Sequence, residues 1–286
     1  MSLVELAAAR LREKPPGFVG SIGTVFSPSS ERAAFEITNA GGVTLVAKAY
    51  LSRESHDREM IGRLTARQYS PSPPLFWYPY FKADPPYVLT YARVEGEPLS
   101  SADPNDGWRE AALKLRILHM AKDSLDLPRF HGGGGTWLES CRQRLVAEIR
   151  WGNSTGFLSD GTAESLLQSG LASLDLDEEP RQTFIHGDLQ PEHVLLRCPG
   201  DPRTVFLDFG DAGLGDPAWD LVALSLDDPD RLAILLDGYR EFPAFVEHVE
   251  RVRPGYRLLR HLSAAPWLNE HELDPQLDVL MALRLI

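Results

Sequence analysis

The sequence predicts an α+β chain in two lobes, a smaller antiparallel sheet-rich lobe followed by a larger helical one. Three observations predict it. Strand-like runs separated by turn formers crowd into the first third of the chain. A turn-rich segment, Glu95-Gly96-Glu97-Pro98 through Pro104-Asn105-Asp106-Gly107, then interrupts the pattern. Beyond it, apolar side chains recur at helical spacing, and Asp-Pro pairs read as an N-cap followed by the first helical residue. A chain of 286 residues has room for two such units at about 150 residues each, and they are expected at 1–94 and 95–286.

Residues 3–13 carry Leu3, Leu6, Ala7 and Leu11 as an amphipathic stripe, and Pro15-Pro16-Gly17 ends that helix. Three strands are expected over 18–26, 33–38 and 43–50, the last two joined by Asn39-Ala40-Gly41-Gly42, a hairpin signal. Residues 54–67 read as a helix with Met60, Ile61 and Leu64 as its apolar stripe. Tyr87–Tyr91 reads as a further strand. In the remainder, Trp108, Ala111, Leu115 and Leu118 mark a helix over 108–121. His131–Gly135 is a connector, and Thr136 with Glu139 forms a capping box that opens a helix to about Trp151. After a helix near 163–174, short strands recur at 183–185, 194–196 and 205–207. Asp216-Pro217, Asp228-Pro229 and Asp274-Pro275 then start helices.

Composition narrows the function classes. The net charge of −12 argues against broad binding to nucleic acid or anionic membrane, and favours or tolerates a cationic small molecule. Cys141 and Cys198 lie in no metal or redox pattern and are too few for a disulfide framework. No apolar run approaches the ~20 residues of a membrane span, and the first residues lack the basic-then-apolar order of a signal peptide. The expected setting is the cytoplasm, as a monomer or homodimer.

The chemistry concentrates in Ile185-His186-Gly187-Asp188-Leu189-Gln190-Pro191-Glu192-His193-Val194-Leu195-Leu196 and in Val205-Phe206-Leu207-Asp208-Phe209-Gly210-Asp211. Short strands flank the polar loop 186–193, and a Pro-Gly-Asp-Pro turn at 199–202 lets the next strand pair back and deliver Asp208. Two convergent carboxylates beside a histidine suit proton acceptance together with divalent-metal binding, the combination that phosphoryl transfer needs.

This stretch resembles the catalytic core of the aminoglycoside phosphotransferase and choline kinase family, small-molecule relatives of the protein kinases. His193 stands five residues after Asp188, the separation between base and metal ligand in the kinase catalytic loop, and Asp208-Phe209-Gly210 matches the DFG element. The run from Asp211 to Leu221, with Gly215-Asp216-Pro217 and Asp220-Leu221, is similar to the family's continuation. The resemblance implies a protein-kinase-like fold that holds ATP or GTP with Mg²⁺, or Mn²⁺ in its place, between its lobes. It implies Asp188 as the base, Asp208 as a metal ligand, and His186 and Asp220 as residues that order the loop. Lys48, in Val46-Ala47-Lys48, resembles the strand lysine that grips nucleotide phosphates. A strand lysine between apolar neighbours needs an anionic partner; Glu59 on the following helix is the natural one and Glu54 the second choice.

The first-hairpin loop departs from the family's glycine-rich pattern. Ser27, Ser29 and Ser30 are the expected phosphate contacts, with a plain hairpin turn weighed nearly equally, and Gly20 and Gly23 lie just upstream. Thr90, Tyr91 and Ala92 fall where the family's hinge reads the adenine edge. His193 departs as well, since many relatives have asparagine there while macrolide kinases are among those with histidine. Mg²⁺ prefers oxygen and imidazole suits softer metals, so His193 either binds the ion weakly or acts through water, or else orders the loop. The expected acceptor is a hydroxylated antibiotic: an aminoglycoside if the acids among Glu192, Asp211, Glu270 and Glu272 with His271 decide, a macrolide or nucleoside if Trp267 does. Two rivals remain in view. One is a nucleotide-binding module without transfer; the other is a metal-dependent hydrolase using His186, Asp188, His193 and Asp208.

Overall fold

The computed structural model describes residues 2–12, 20–28, 31–39, 41–69, 75–77, 84–100, 103–121, 135–196, 204–226, 228–239 and 243–270. Ser29, Ser30, His271, the connector at 131–134, the turn at 199–202 and Asp274-Pro275 lie outside these residues, as do the side chains of Ser27, Trp267 and Glu270. The chain divides into two compact units. The first comprises Met1–Asp103, Met120–Pro128 and Pro191–Gly213, the second Pro104–His119, Arg129–Gln190 and Leu214–Ile286.

The first unit is built on a five-stranded antiparallel sheet. Helix α1 (Leu3–Arg12) precedes β1 (Ser21–Pro28), β2 (Arg32–Thr38) and β3 (Thr44–Tyr50). Helix α2 (Arg53–Tyr69) then leads to β4 (Leu75–Trp77) and β5 (Tyr87–Ala92), and the strand order is β1-β2-β3-β5-β4. Side chains alternate between the faces of a strand. Phe35, Ile37, Leu45, Ala47, Ala49 and Val88 therefore share one face, closed by Leu3, Ala7 and Leu11 of α1. Lys48, paired with Leu89, and Val46, paired with Tyr91, share the other, which α2 approaches. Burying a lysine among these residues is tolerable only because carboxylates meet it, one of them Glu59 of α2.

Two pieces of the unit come from later in the chain. Strands β6 (Glu97–Pro98), β8 (Val194–Leu196) and β9 (Val205–Phe206) form a small sheet in the order β6-β8-β9. The expected pairing of the second and third late strands is present, Val194 opposite Phe206. The first of them is separate: β7 (Thr183–Ile185) pairs with β10 (Gly213–Gly215), which the sequence pattern does not reveal. Strands of two or three residues contribute too little periodicity to read, and their pairing is decided by surroundings.

The second unit carries α3 (Asn105–His119), α4 (Trp137–Ser154), α5 (Asp160–Ser173), α6 (Pro217–Ser225), α7 (Pro229–Tyr239) and α8 (Pro243–Glu270). Thr136 caps α4 by accepting from the Glu139 amide, and Asp216 caps α6 by accepting from the Ala218 amide. Trp137, Trp219 and Tyr256 pack edge to face at its centre, with ring centroids 5.3–6.2 Å apart. Such pairs add to the burial of their area because ring edges meet ring faces. Among the described residues no helix is long and apolar enough to cross a membrane.

Candidate active site

In the first unit four charged side chains meet. Lys48 Nζ lies 2.7 Å from Asp208 Oδ1 and 3.4 Å from Glu59 Oε2. The other oxygen of Glu59 takes Nε of Arg63, one turn further along α2. Glu59 and Arg63 are buried, and the Arg63 guanidinium sits 3.9 Å from the centre of the Tyr91 ring. Glu54 instead pairs with Arg58 on the exposed side of α2.

These contacts fix the charge states. Burial alone would lower Lys48, but Asp208 and then Glu59 more than reverse it, holding the ammonium well above its ordinary range. Burial would raise Asp208, yet Lys48, then His193 and, more weakly, Arg63 hold its carboxyl well below the usual value. His193 is placed by the backbone: the Leu207 amide donates to the His193 carbonyl at 2.8 Å, fastening the end of the loop beside the segment that carries Asp208. Asp208 itself adopts φ 56°, left-handed backbone that costs a non-glycine residue about 1–3 kcal/mol and persists where the surroundings enforce it. Part of that enforcement is Gly62, where any Cβ would stand 2.9 Å from the Phe209 carbonyl oxygen and 2.9 Å from Ala212 Cβ. Only glycine lets α2 approach the DFG segment this closely.

In the second unit the loop after β7 is held by its backbone. Asp220, in the first turn of α6, accepts the His186 amide at 2.7 Å and the Gly187 amide at 2.9 Å. His119 Nε2 lies 3.0 Å from the same carboxylate, and its Nδ1 lies 2.7 Å from the Tyr239 hydroxyl. Trp219 donates its indole N–H to the Gly187 carbonyl at 2.7 Å. Gly187 has φ 86°, open to glycine at no steric cost. Asp188 follows directly; its Oδ1 accepts from Arg260 at 2.9 Å and from Gln190 at 3.1 Å.

The phosphotransferase enzyme family, abbreviated APH, matches residues 30–265. The chain belongs to this phosphotransferase family. No curated protein matches it. Among solved structures it is similar to a fructosamine-3-kinase so described from Thermobifida fusca, at TM-score 0.71 and 20% identity over 97% of each chain. It is also similar to aminoglycoside 2'-phosphotransferase-IIIa in its GDP complex, at TM-score 0.72 and 17% identity over 99% of this chain and 98% of that one. A third is macrolide 2'-phosphotransferase MphH from Brachybacterium faecium, at TM-score 0.63 and 16% identity over 98% and 97%. At these identities the likeness is one of fold, and the phosphotransferase has the α+β protein-kinase-like fold.

The structure distributes the expected site residues of the phosphotransferase as follows. Lys48, Glu59 and Asp208 meet, with His193 close enough to act on the Asp208 charge, and His186 and Asp220 are joined through the loop backbone. Thr90 and Tyr91 lie inside the ladder, flanked by β3 on one side and β4 on the other. Arg93 to Gly96, just past the strand, are the first residues there outside it. Ser27 pairs opposite Ala34 within β1. Glu192 is exposed and Asp211 half-buried. Arg63, His119, Gln190 and Arg260 were not anticipated as site residues. Arg63 had a signal, its i, i+4 spacing from Glu59; His119, which no motif singles out, is buried against Asp220.

A second buried carboxylate gives the phosphotransferase a pH dependence. Asp216 Oδ2 lies 2.7 Å from His248 Nε2 and accepts the Tyr256 hydroxyl at 2.7 Å. Burial would lower His248, but the bond to Asp216 outweighs burial and the opposing Arg251, and the imidazole is raised above 6.5. A raised folded value makes this stabilisation complete below about pH 6.5 and lost as pH rises through the higher value. His248→Ala is therefore expected to flatten the decline of unfolding stability between about pH 6 and 8, measured by urea titration. An unchanged slope would remove this account.

Proposed function

We propose that this phosphotransferase moves the γ-phosphoryl group of ATP or GTP to a hydroxyl of a small organic acceptor, of the aminoglycoside, macrolide or nucleoside antibiotic kind. The observation that carries the reading is the Lys48–Asp208–Glu59 constellation, with Lys48 2.7 Å from Asp208. A cation gripped by two carboxylates is positioned to meet phosphate oxygens, and its charge cannot be lost at any physiological pH. The acceptor oxygen bonds the γ-phosphorus, the β,γ-bridging P–O bond breaks, and the nucleoside diphosphate leaves. The hydroxyl proton passes to Asp188, which the loop holds through Asp220. The transition state is loose, so positioning and charge neutralisation do most of the work.

The donor set suits a hard divalent ion. No group of three or more His, Cys, Asp or Glu among the described residues forms an ion cage, but Mg²⁺ in such sites uses one or two carboxylates together with substrate phosphates and water. Asp208, with His193 beside it, would hold the ion, which when bound neutralises phosphate charge. The hydrolase alternative needs the His186 imidazole as a ligand, whereas the whole residue is buried, with its backbone amide fixed on Asp220.

The test is γ-phosphate transfer to a panel of hydroxyl compounds, with ATP and GTP and with Mg²⁺ and Mn²⁺. Asp188→Ala is expected to lower transfer at least about 100-fold while nucleotide still raises the melting temperature. Full turnover by Lys48→Met would overturn the reading in favour of hydrolysis. Nucleotide protection without transfer to any acceptor would favour the binding module.

A further inference from the structure

The side chain beside Asp188 carries information about the acceptor. Arg260, on α8, places Nη2 2.9 Å from Asp188 Oδ1, the oxygen that Gln190 also uses. Its side chain is 18% exposed, and the guanidinium carbon lies 6.0 Å from the centre of the Trp219 ring. Its Nε is buried and has no hydrogen-bond partner among the described residues. Arg260 also ends a row. Arg253, Arg257 and Arg260 stand at i, i+4 and i+7 on one helix face, all half-buried. Arg253 meets Glu250 at 3.9 Å.

A guanidinium on Oδ1 competes with the acceptor hydroxyl for the base. The competition is relieved if the acceptor brings an anion of its own, because the planar fork of arginine matches carboxylate and phosphate oxygens two at a time. An acceptor rich in ammonium groups meets like charge at the same place and is disfavoured. The chain's net charge of −12 opposes anions at long range, but salt screens such fields beyond about 8 Å, and the group in contact decides.

We propose that Arg260 is the acceptor-recognition residue, and that the acceptor is a small hydroxyl compound bearing a carboxylate or phosphate near the hydroxyl that is phosphorylated. This rests on the phosphotransferase reading above: the bond changes are those already described, and Arg260 holds the acceptor's anion without taking part in them. Of the acceptor classes expected from the sequence, it sets aside the polycationic aminoglycosides and the macrolides, which carry a basic amine and no such anion.

The experiment uses the full chain, ATP and matched acceptors: D-gluconate beside gluconamide, D-glycerate beside glyceramide, glycerol 3-phosphate beside glycerol, and kanamycin as the polycation. The first two pairs report on carboxylate and the third on phosphate. The expected result is a kcat/KM at least tenfold higher for the anionic member of one pair. Arg260→Gln is expected to erase that ratio by raising KM for the anion, and Arg260→Lys to restore part of it. Equal turnover within every pair, no turnover of any anionic compound, a preference for kanamycin, or an Arg260→Gln loss that strikes charged and neutral acceptors alike would each overturn the proposal. Nucleotide turnover, including hydrolysis by water, is followed in parallel in Asp188→Ala. If it persists unchanged there, the phosphotransferase reading fails; if it depends on Asp188 but ignores acceptor charge, only the role of Arg260 fails.

Discussion

Glu59→Ala is expected to destabilise the first unit by about 3–5 kcal/mol, the cost of removing one partner from a buried ion pair, and to remove transfer activity. Glu59 is wholly buried and serves two cations at once, Lys48 through Oε2 and Arg63 through Oε1. Arg63 is 1% exposed, and its two terminal nitrogens have no hydrogen-bond partner among the described residues. Without Glu59 its nearest remaining supports are the rings of Tyr91 at 3.9 Å and Phe209 at 6.0 Å, and a desolvated cation over a ring is worth only about 2 kcal/mol. The guanidinium cannot shed its proton to escape, since it is held above even the ordinary arginine range. Lys48, left with Asp208 alone, would settle on that carboxylate and compete with the phosphates. Glu59→Gln keeps the volume and should recover packing without recovering the charge. The comparison is Glu54→Ala: Glu54 is 79% exposed, and such a surface change should stay within about 0.5 kcal/mol. Urea unfolding with parallel transfer assays reads both. Similar midpoints for the Glu59 and Glu54 variants would show that the buried network contributes nothing.

The sequence made much of this legible, and the reasons are local. The strand lysine shows because period two puts Ala47 and Ala49 inward while Lys48 faces the other way. The α4 and α6 starts show because Thr136 and Asp216 use their own side chains on amides two or three residues on. The polar loop and Asp208-Phe209-Gly210 show because the chemistry needs fixed residue types at fixed spacing. What stayed hidden depends on residues far apart in the chain. His119 meets Asp220 only when α3 and α6 are packed, and Arg260 reaches Asp188 from a helix whose sequence has no motif around it. The pairing of β7 with β10 is hidden for the same reason, since three-residue strands carry no usable periodicity. Arg63 is the exception, because its spacing from Glu59 was readable and its burial against Tyr91 was not.

Asp220→Ala should be the most damaging change in the second unit. It withdraws the acceptor from three donors, the amides of His186 and Gly187 and the ring of His119. Each buried donor left unmatched costs about 1–3 kcal/mol, so a loss of about 3 kcal/mol or more is expected, with the loop's register lost as well. The stability loss and the activity loss separate by their pH behaviour. Burial raises the Asp220 carboxyl, but the bond from His119, followed by its charge and that of His186, outweighs burial and leaves it below 3.8. A folded value below the unfolded one makes this stabilisation complete at neutral pH, and it drains away as pH falls below about 4 through the lower folded value. Asp220→Asn cannot titrate, and its NH₂ would face a donor already present, so it should lose stability at pH 7 and also lose this part of the acid-induced decline. Activity should fall further than stability under conditions where the variant remains folded, because a shift of about 1 Å in the base costs on the order of 100-fold in rate. A variant with near-normal kcat would mean that the Asp188 loop holds its place without Asp220. A wild-type-like acid limb in Asp220→Asn would mean that the carboxylate is not what titrates there.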